Sequence, residues 1–266
     1  MTLTAHANTA EAIPDPDLSR HADRNDDAAE RDFVSRPLDP TFRLTVLHIQ
    51  VPRDRAAGVQ RVWDPLREDF VSTDQQLSLR LNGIRVGIGH SGWWQPIKRA
   101  FDEVPGNIVS MPQPVRMPAG FPLALELDTE PADQTLFFIG RDGILSGDTW
   151  TASRNVLRVT IQADPRNRDH ARIMVIPEVR RRDQGMRLVR TAAGMWQVPR
   201  MQARAFDAAG FHTVLAPGEF LLIGPSMGDL AYGLIGNAFL SREIEGTRYD
   251  SYVILRPEHD SVDQGG

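Results

Sequence analysis

Phe211-His-Thr-Val-Leu-Ala-Pro-Gly-Glu-Phe-Leu-Leu-Ile-Gly224 decides the fold class. Two short apolar runs, Phe211 to Leu215 and Phe220 to Ile223, flank Pro217-Gly218, a pair that marks a turn. Each run is too short for a helix, so both read as strands. Outward from them the pattern recurs. Upstream lie Leu123 to Leu127, Thr135 to Ile139, Val156 to Ile161, Arg172 to Ile176 and Met186 to Val189; downstream lie Leu234 to Leu240 and Tyr252 to Leu255. Turn signals at Arg141-Asp142-Gly143, Asp164-Pro165 and Asp183 to Gly185 separate them. Short strands at this spacing predict an antiparallel β-rich domain over 123–260, without a repeat of fixed period.

Before residue 123 the period changes. Leu44, Val46, Leu47, Ile49 and Val51 form a strand ended by Pro52. Val59, Val62, Trp63 and Leu66 fall at i, i+3, i+4 and i+7, the stripe of an amphipathic helix that Pro65 ends. Leu77, Leu79 and Leu81 alternate with polar residues, and Asn82-Gly83 is a strong hairpin signal. Together they predict a strand returning through a type I′ turn onto Ile84 to Ile88. A Gly-rich turn at Gly87, Gly89 and Gly92 then leads to a helix over Trp93 to Glu103, which Pro105-Gly106 stops. This order predicts a small βαββα module over 41–109, with helices on one face of its sheet. Residues 110–122, with Pro112, Pro114, Pro118 and Pro122, read as a stiff linker or an edge passage. The fold class is α+β, mainly β, with a flexible tail at 261–266.

The chain has 266 residues, 41% hydrophobic and 24% charged, enough for a sizeable core. The absence of cysteine excludes disulfides, thiolate catalysis and Cys-based metal sites. A net charge of -5 offers no electrostatic case for nucleic acid. That whole excess lies in residues 1–40, where nine acids face four arginines; with no apolar period the segment reads as a disordered acidic arm. No stretch approaches the ~18 to 20 apolar residues of a membrane-spanning helix. Met1 to Asp17 lacks the basic start and apolar segment of a secretory signal.

Gly87-Ile-Gly89-His-Ser-Gly92 matches G-x-G-x-x-G. A dinucleotide site also needs a parallel βαβ unit and an acid about 20 residues on, and Asp102 and Glu103 come too early. Gly89-His90-Ser91 begins a nucleophile elbow whose fifth position is Trp93, too bulky for that tight turn. A hydrolase built on Ser91 and His90 is thus the least favoured reading. His48, His90, His170, His212 and His259 show no i, i+4 pair and no H-E-x-x-H, so no metal spacing emerges. No catalytic, cofactor or metal residue is expected. Arg180-Arg181-Arg182, followed by Arg187 and Arg190, is the one dense basic cluster, either a solvated edge or a site for an anionic partner. Trp93, Trp94 and Trp150 fit packing or carbohydrate stacking.

The C-terminal segments form an ordered series. Ile173-Met-Val-Ile-Pro-Glu-Val179 precedes Phe211 to Leu215 and the turn Pro217-Gly218-Glu219; then come Phe220 to Gly224, Ile235-Gly-Asn-Ala-Phe239 and Tyr252-Val-Ile-Leu-Arg-Pro257. This series resembles the core domain of the secretins, the ring-forming outer-membrane channels of bacterial type II and type III secretion systems and type IV pili. Ile235 to Phe239 keeps the spacing of the family's L-G-x-L-F segment, and Val253 to Pro257 keeps its closing strand. The resemblance covers residues 155 to 258, and the element order of 42–104 is similar to the ring-building modules that precede that core. It is divergent: Ser226 to Gly233 stands in place of V-P-x-L-G-x-I-P, and no amphipathic membrane-crossing hairpin is legible.

The resemblance implies a non-enzymatic assembly protein of a bacterial secretion or pilus envelope complex, placed in the envelope or periplasm, with self-association or envelope proteins as partners. In that role Asn82, Gly83, Gly218, Gly224, Gly236, Phe239 and Pro257 would shape sheets that pack against other chains. The alternative is a soluble monomeric β-sandwich that binds a small ligand or glycan through its tryptophans. Neither reading involves a cofactor, nucleic acid or a transmembrane helix.

Overall fold

The first strand, β1 (Thr41–Pro52), is apolar on both faces. Phe42, Leu44 and Val46 belong to one buried cluster, and Leu47, Ile49 and Val51 to another. Successive strand residues point to opposite sides, so such a strand needs a covering layer on each. The computed structural model describes residues 41–111, 113–127, 130–191, 194–226 and 234–259. The chain divides into two units, Met1–Leu38 and Asp39–Gly266. The acidic arm expected at 1–40 and the tail at 261–266 lie outside the described residues.

In the second unit β1 sits in a seven-stranded sheet. Its order is β2 (Ile84–His90), β11 (Glu219–Pro225), β13 (Thr247–His259), β1 and β3 (Ile108–Ser110), with β4 (Val115–Pro118) also on β1 and β12 (Ser241–Ile244) on β13. A six-stranded sheet runs β10 (Phe211–Leu215), β8 (Ala171–Thr191), β7 (Leu145–Ala163), β5 (Pro122–Glu126), with β6 (Ala132–Ile139) on β7 and β9 (Gly194–Ala205) on β8. These described strands pair antiparallel throughout.

Leu221, Ile223, Val253 and Leu255 of the first sheet share a core with Val159, Ile161, Ile173 and Val175 of the second. Their neighbours Phe220, Leu222, Tyr252 and Ile254 turn the other way, onto a 3-10 helix (Arg53–Trp63) and α2 (Ser91–Asp102). The architecture is therefore mainly β in three layers: helices, sheet, sheet. Double burial explains why β11 and β13 read as unbroken apolar runs. Each buried Leu, Ile or Phe contributes about 1.5–3 kcal/mol.

Several expectations are corrected. Residues 73–81 form a helix, α1 (Thr73–Leu81), instead of a strand. Ser72 caps it, its Oγ accepting from the Gln75 N–H at 3.3 Å, and Gln, Leu and Arg are good helix formers. Leu77 and Leu81 are one helical turn apart, and only Leu79 is buried. Asn82 has φ −89°, which a type I′ turn forbids; Gly83, at φ +80°, ends the helix. Gly87 and Gly89 lie inside β2, where a Cβ on Gly89 would come 2.3 Å from the Phe220 ring. Residues 53–63 bury Val59, Val62 and Trp63 as the stripe predicts, and Ala56 besides, but in 3-10 form.

Residues 235–240 are a short helix, α3 (Ile235–Leu240), where a strand is expected. The run is too brief for periodicity to decide, and its buried residues, Ile235, Gly236, Phe239 and Leu240, follow helical spacing. The segment 41–109 does not own a separate sheet: β1 pairs with β13, and β2 with β11. Within residues 113–122, β4 lies along β1.

Candidate functional site

Asn82, Gly83 and Gly236, drawn from separate motifs, meet in space. Asn82 is fully buried. Its Nδ2 donates to the Ser78 and Ile139 carbonyls at 2.9 Å each, and its Oδ1 accepts from the Ile139 N–H at 2.8 Å. The side-chain amide thus acts as a strand partner for the end of β6. The Gly236 N–H donates to Asn82 O at 2.8 Å, and the Ser226 N–H to Gly83 O at 2.9 Å. A Cβ on Gly236 would lie 2.4 Å from Asn82 O and the Gly83 backbone, so only glycine permits this approach.

The neighbouring residue extends the knot. Asn237 Oδ1 accepts from Arg53 Nη2 at 3.1 Å, Arg248 Nη2 at 3.0 Å and Ser241 Oγ at 3.1 Å. Phe239 is buried, and its ring meets Phe206 edge to face at 5.9 Å. Gly224 gives room to Tyr252, whose ring would sit 2.7 Å from a Cβ there. Gly218, at φ +81°, makes the turn between β10 and β11. Pro257 lies opposite Leu44, and β11 pairs with β13 only as far as Leu255, so its missing N–H breaks no bond to β11. These residues hold the sheets together, and none of them lines either of the grooves beside α1 and α2.

His90 and Ser91 stand where β2 becomes α2. His90 Nδ1 caps the helix by accepting from the Gly92 N–H at 3.2 Å, and Ser91 Oγ lies 3.4 Å from the same atom. Glu219 faces His90 in the β2–β11 register, but its carboxylate accepts from the Ala216 N–H at 2.8 Å and pairs with Arg67 at 3.6 Å. It is therefore committed away from the imidazole.

The feature that sequence reasoning missed is a ribbon. β7 accompanies β8 only as far as Arg181; β8 and β9 continue together beyond it. After a bulge at Asp183 to Gly185, six register pairs run from Met186↔Pro199 to Thr191↔Gly194, a reach of about 20 Å at ~3.4 Å per residue. Directly opposed residues share a face, so alternation puts Met186, Leu188, Met195 and Met201 on one side. Their exposures are 49%, 64%, 61% and 50%. The signal was weak because Val198 is the only β-branched residue in β9 and Pro199 argues against a strand.

The arginine cluster is partly spent at the root of this ribbon. Arg180 bonds the buried Glu178, which Arg158 also approaches at 3.4 Å. Arg181 donates to Gln202 at 2.7 Å and lies 5.9 Å from the Trp150 ring. Arg182 is left exposed.

The described surface includes two grooves, each beside a different helix. One, about 580 Å³, lies between α1 and the β6–β7 turn, lined by Asp74, Leu77, Leu81, Arg141, Asp207 and His212. The other, about 630 Å³, lies between the 3-10 helix and α2, with Trp93 in its wall. His90 and Ser91 line neither. Under the first sheet, His48 Nε2 and Gln50 Nε2 are buried without a partner among the described residues. Burial, then the nearby Arg242, pushes the His48 imidazole below its usual range.

Among the described residues, no group of three or more His, Asp or Glu is placed to hold a metal ion. No described helix is long and apolar enough to cross a membrane. Comparison with family models, with curated proteins and with solved structures yields no match.

Proposed function

We propose that the chain is a structural subunit that joins other protein chains through the β8–β9 ribbon and performs no chemistry of its own. The observation that carries this reading is the exposed stripe of Met186, Leu188, Met195 and Met201. A two-stranded ribbon is marginal in water by itself, and covering an apolar face removes that surface from solvent. Among the described strands β9 pairs only with β8, so its outer edge carries unpaired backbone groups that a further chain can meet. The resemblance of residues 155 to 258 to the secretin core supports copies of the same chain, within a bacterial secretion or pilus envelope complex, as what the ribbon joins. In that setting the Asn82–Gly236 contact, Gly224 and Phe239 hold the sheets that carry the ribbon.

Sedimentation velocity and native mass spectrometry of the full chain over rising concentration test the proposal. Association that grows with concentration and is abolished by Leu188→Asp with Met195→Asp is the expected result. A strict monomer at every concentration, or association indifferent to both substitutions, would overturn it.

A further inference from the structure

The groove between the 3-10 helix and α2 has features that neither the core nor the ribbon explains. Trp93 stands in the first turn of α2 and is 48% exposed, while Ile97, Ala100 and Phe101 of the same helix are buried. An open indole loses the burial that normally places tryptophan. Pro65 and Pro96 flank it in the groove wall; their rings bring rigid apolar surface with little rotamer freedom to lose. The volume, about 630 Å³, falls in the range of small-ligand sites.

The polar rim narrows the chemistry. Arg61 Nη2 donates to Glu103 Oε2 at 2.8 Å, bridging the 3-10 helix and α2, and both side chains remain about two-thirds exposed, at 64% and 65%. The pair brings both groups to the groove rim while leaving further N–H donors and carboxylate lone pairs open to solvent. Asp64 and Arg99 add one more charge of each sign. Two guanidinium and two carboxylate groups sum to no net charge, so the rim favours neither an anion nor a cation. It suits hydroxyl groups, which donate to carboxylates and accept from guanidinium N–H groups. A flat apolar indole beside such a rim fits a ring with a C–H face and a hydroxyl edge.

We propose that this groove binds a neutral saccharide, one sugar ring stacked on Trp93 and its hydroxyls held by Arg61, Glu103, Asp64 and Arg99. The site lies on the helical layer and needs no contact by the ribbon, so it stands whether or not the chain assembles.

The full chain is screened on an array of neutral glycans, and hits are titrated by isothermal calorimetry, with maltotriose, cellotriose and tri-N-acetylchitotriose as soluble probes. At least one saccharide should bind. Trp93→Ala should weaken it about tenfold or more, Glu103→Gln should weaken it less, and Trp93→Phe should retain part of the affinity. Circular dichroism of each variant should match the wild type, since Trp93 is about half exposed and Glu103 about two-thirds. Binding to no neutral glycan, binding that survives Trp93→Ala unchanged, or capture of only charged sugars or a proline-rich peptide would each overturn the proposal.

Discussion

At Gly236 one hydrogen atom separates a tolerated contact from a clash. A methyl group there would meet backbone at 2.4 Å, and backbone cannot swing aside as a side-chain tip can. Gly236→Ala should therefore lower stability by about 2–3 kcal/mol, read from the urea midpoint. Gly58→Ala, with nothing within 4 Å of its Cβ, should be neutral or stabilising by up to about 1 kcal/mol. His48 gives a pH dependence of known sign. Its folded form binds a proton less readily than the unfolded chain, whose value is near 6.5, so protonation favours unfolding. Its contribution is at a plateau above that pH and is lost as pH falls below it, until the folded value too is passed. Thermal melts from about pH 7.5 to 5 should show a shallower acid decline for His48→Gln than for wild type. From sequence, Gly224 and Gly236 could serve either a tight turn or a close backbone approach; that Gly236 approaches Asn82 was not readable, because the two are joined only by folding.

At the scale of elements, the pair that deceived was α1 and α3. Leu77, Leu79 and Leu81 satisfy both a strand alternation and a helical i, i+4 spacing, and the tie is broken locally by the Ser72 cap and by Gly83 closing the C-terminus. Leu79→Ala should cost about 2–5 kcal/mol as a buried truncation, while Leu77→Ala should change stability by less than about 1 kcal/mol. Equal losses at the two positions would argue for the strand. The ribbon makes the opposite demand: Leu188→Asp should leave the melting temperature nearly unchanged, because Leu188 is 64% exposed, yet should remove association. A loss of both together would place Leu188 in the folding core instead of at a docking surface.

At the scale of the whole molecule, the chain termini of the described unit are bound into one sheet. β1 and β13 share eleven register pairs, from Phe42↔His259 to Pro52↔Tyr249. A fragment ending at residue 109 keeps β1 and β2 without the partners that cover and pair them. It should show no dispersed amide spectrum, and a fragment starting at residue 123 should fail likewise. Independent folding of either would contradict the shared sheet. The antiparallel, mainly β class, the apolar runs and the Pro217-Gly218 turn followed from sequence alone, since each depends on contacts between near neighbours or on the conformational freedom of a single residue. Which strands pair, what covers the two faces of β1, and that Asn82 meets Gly236 were decided only by tertiary structure. Those are contacts between residues far apart in the chain, and local period and propensity carry no information about which distant surface will supply the burial.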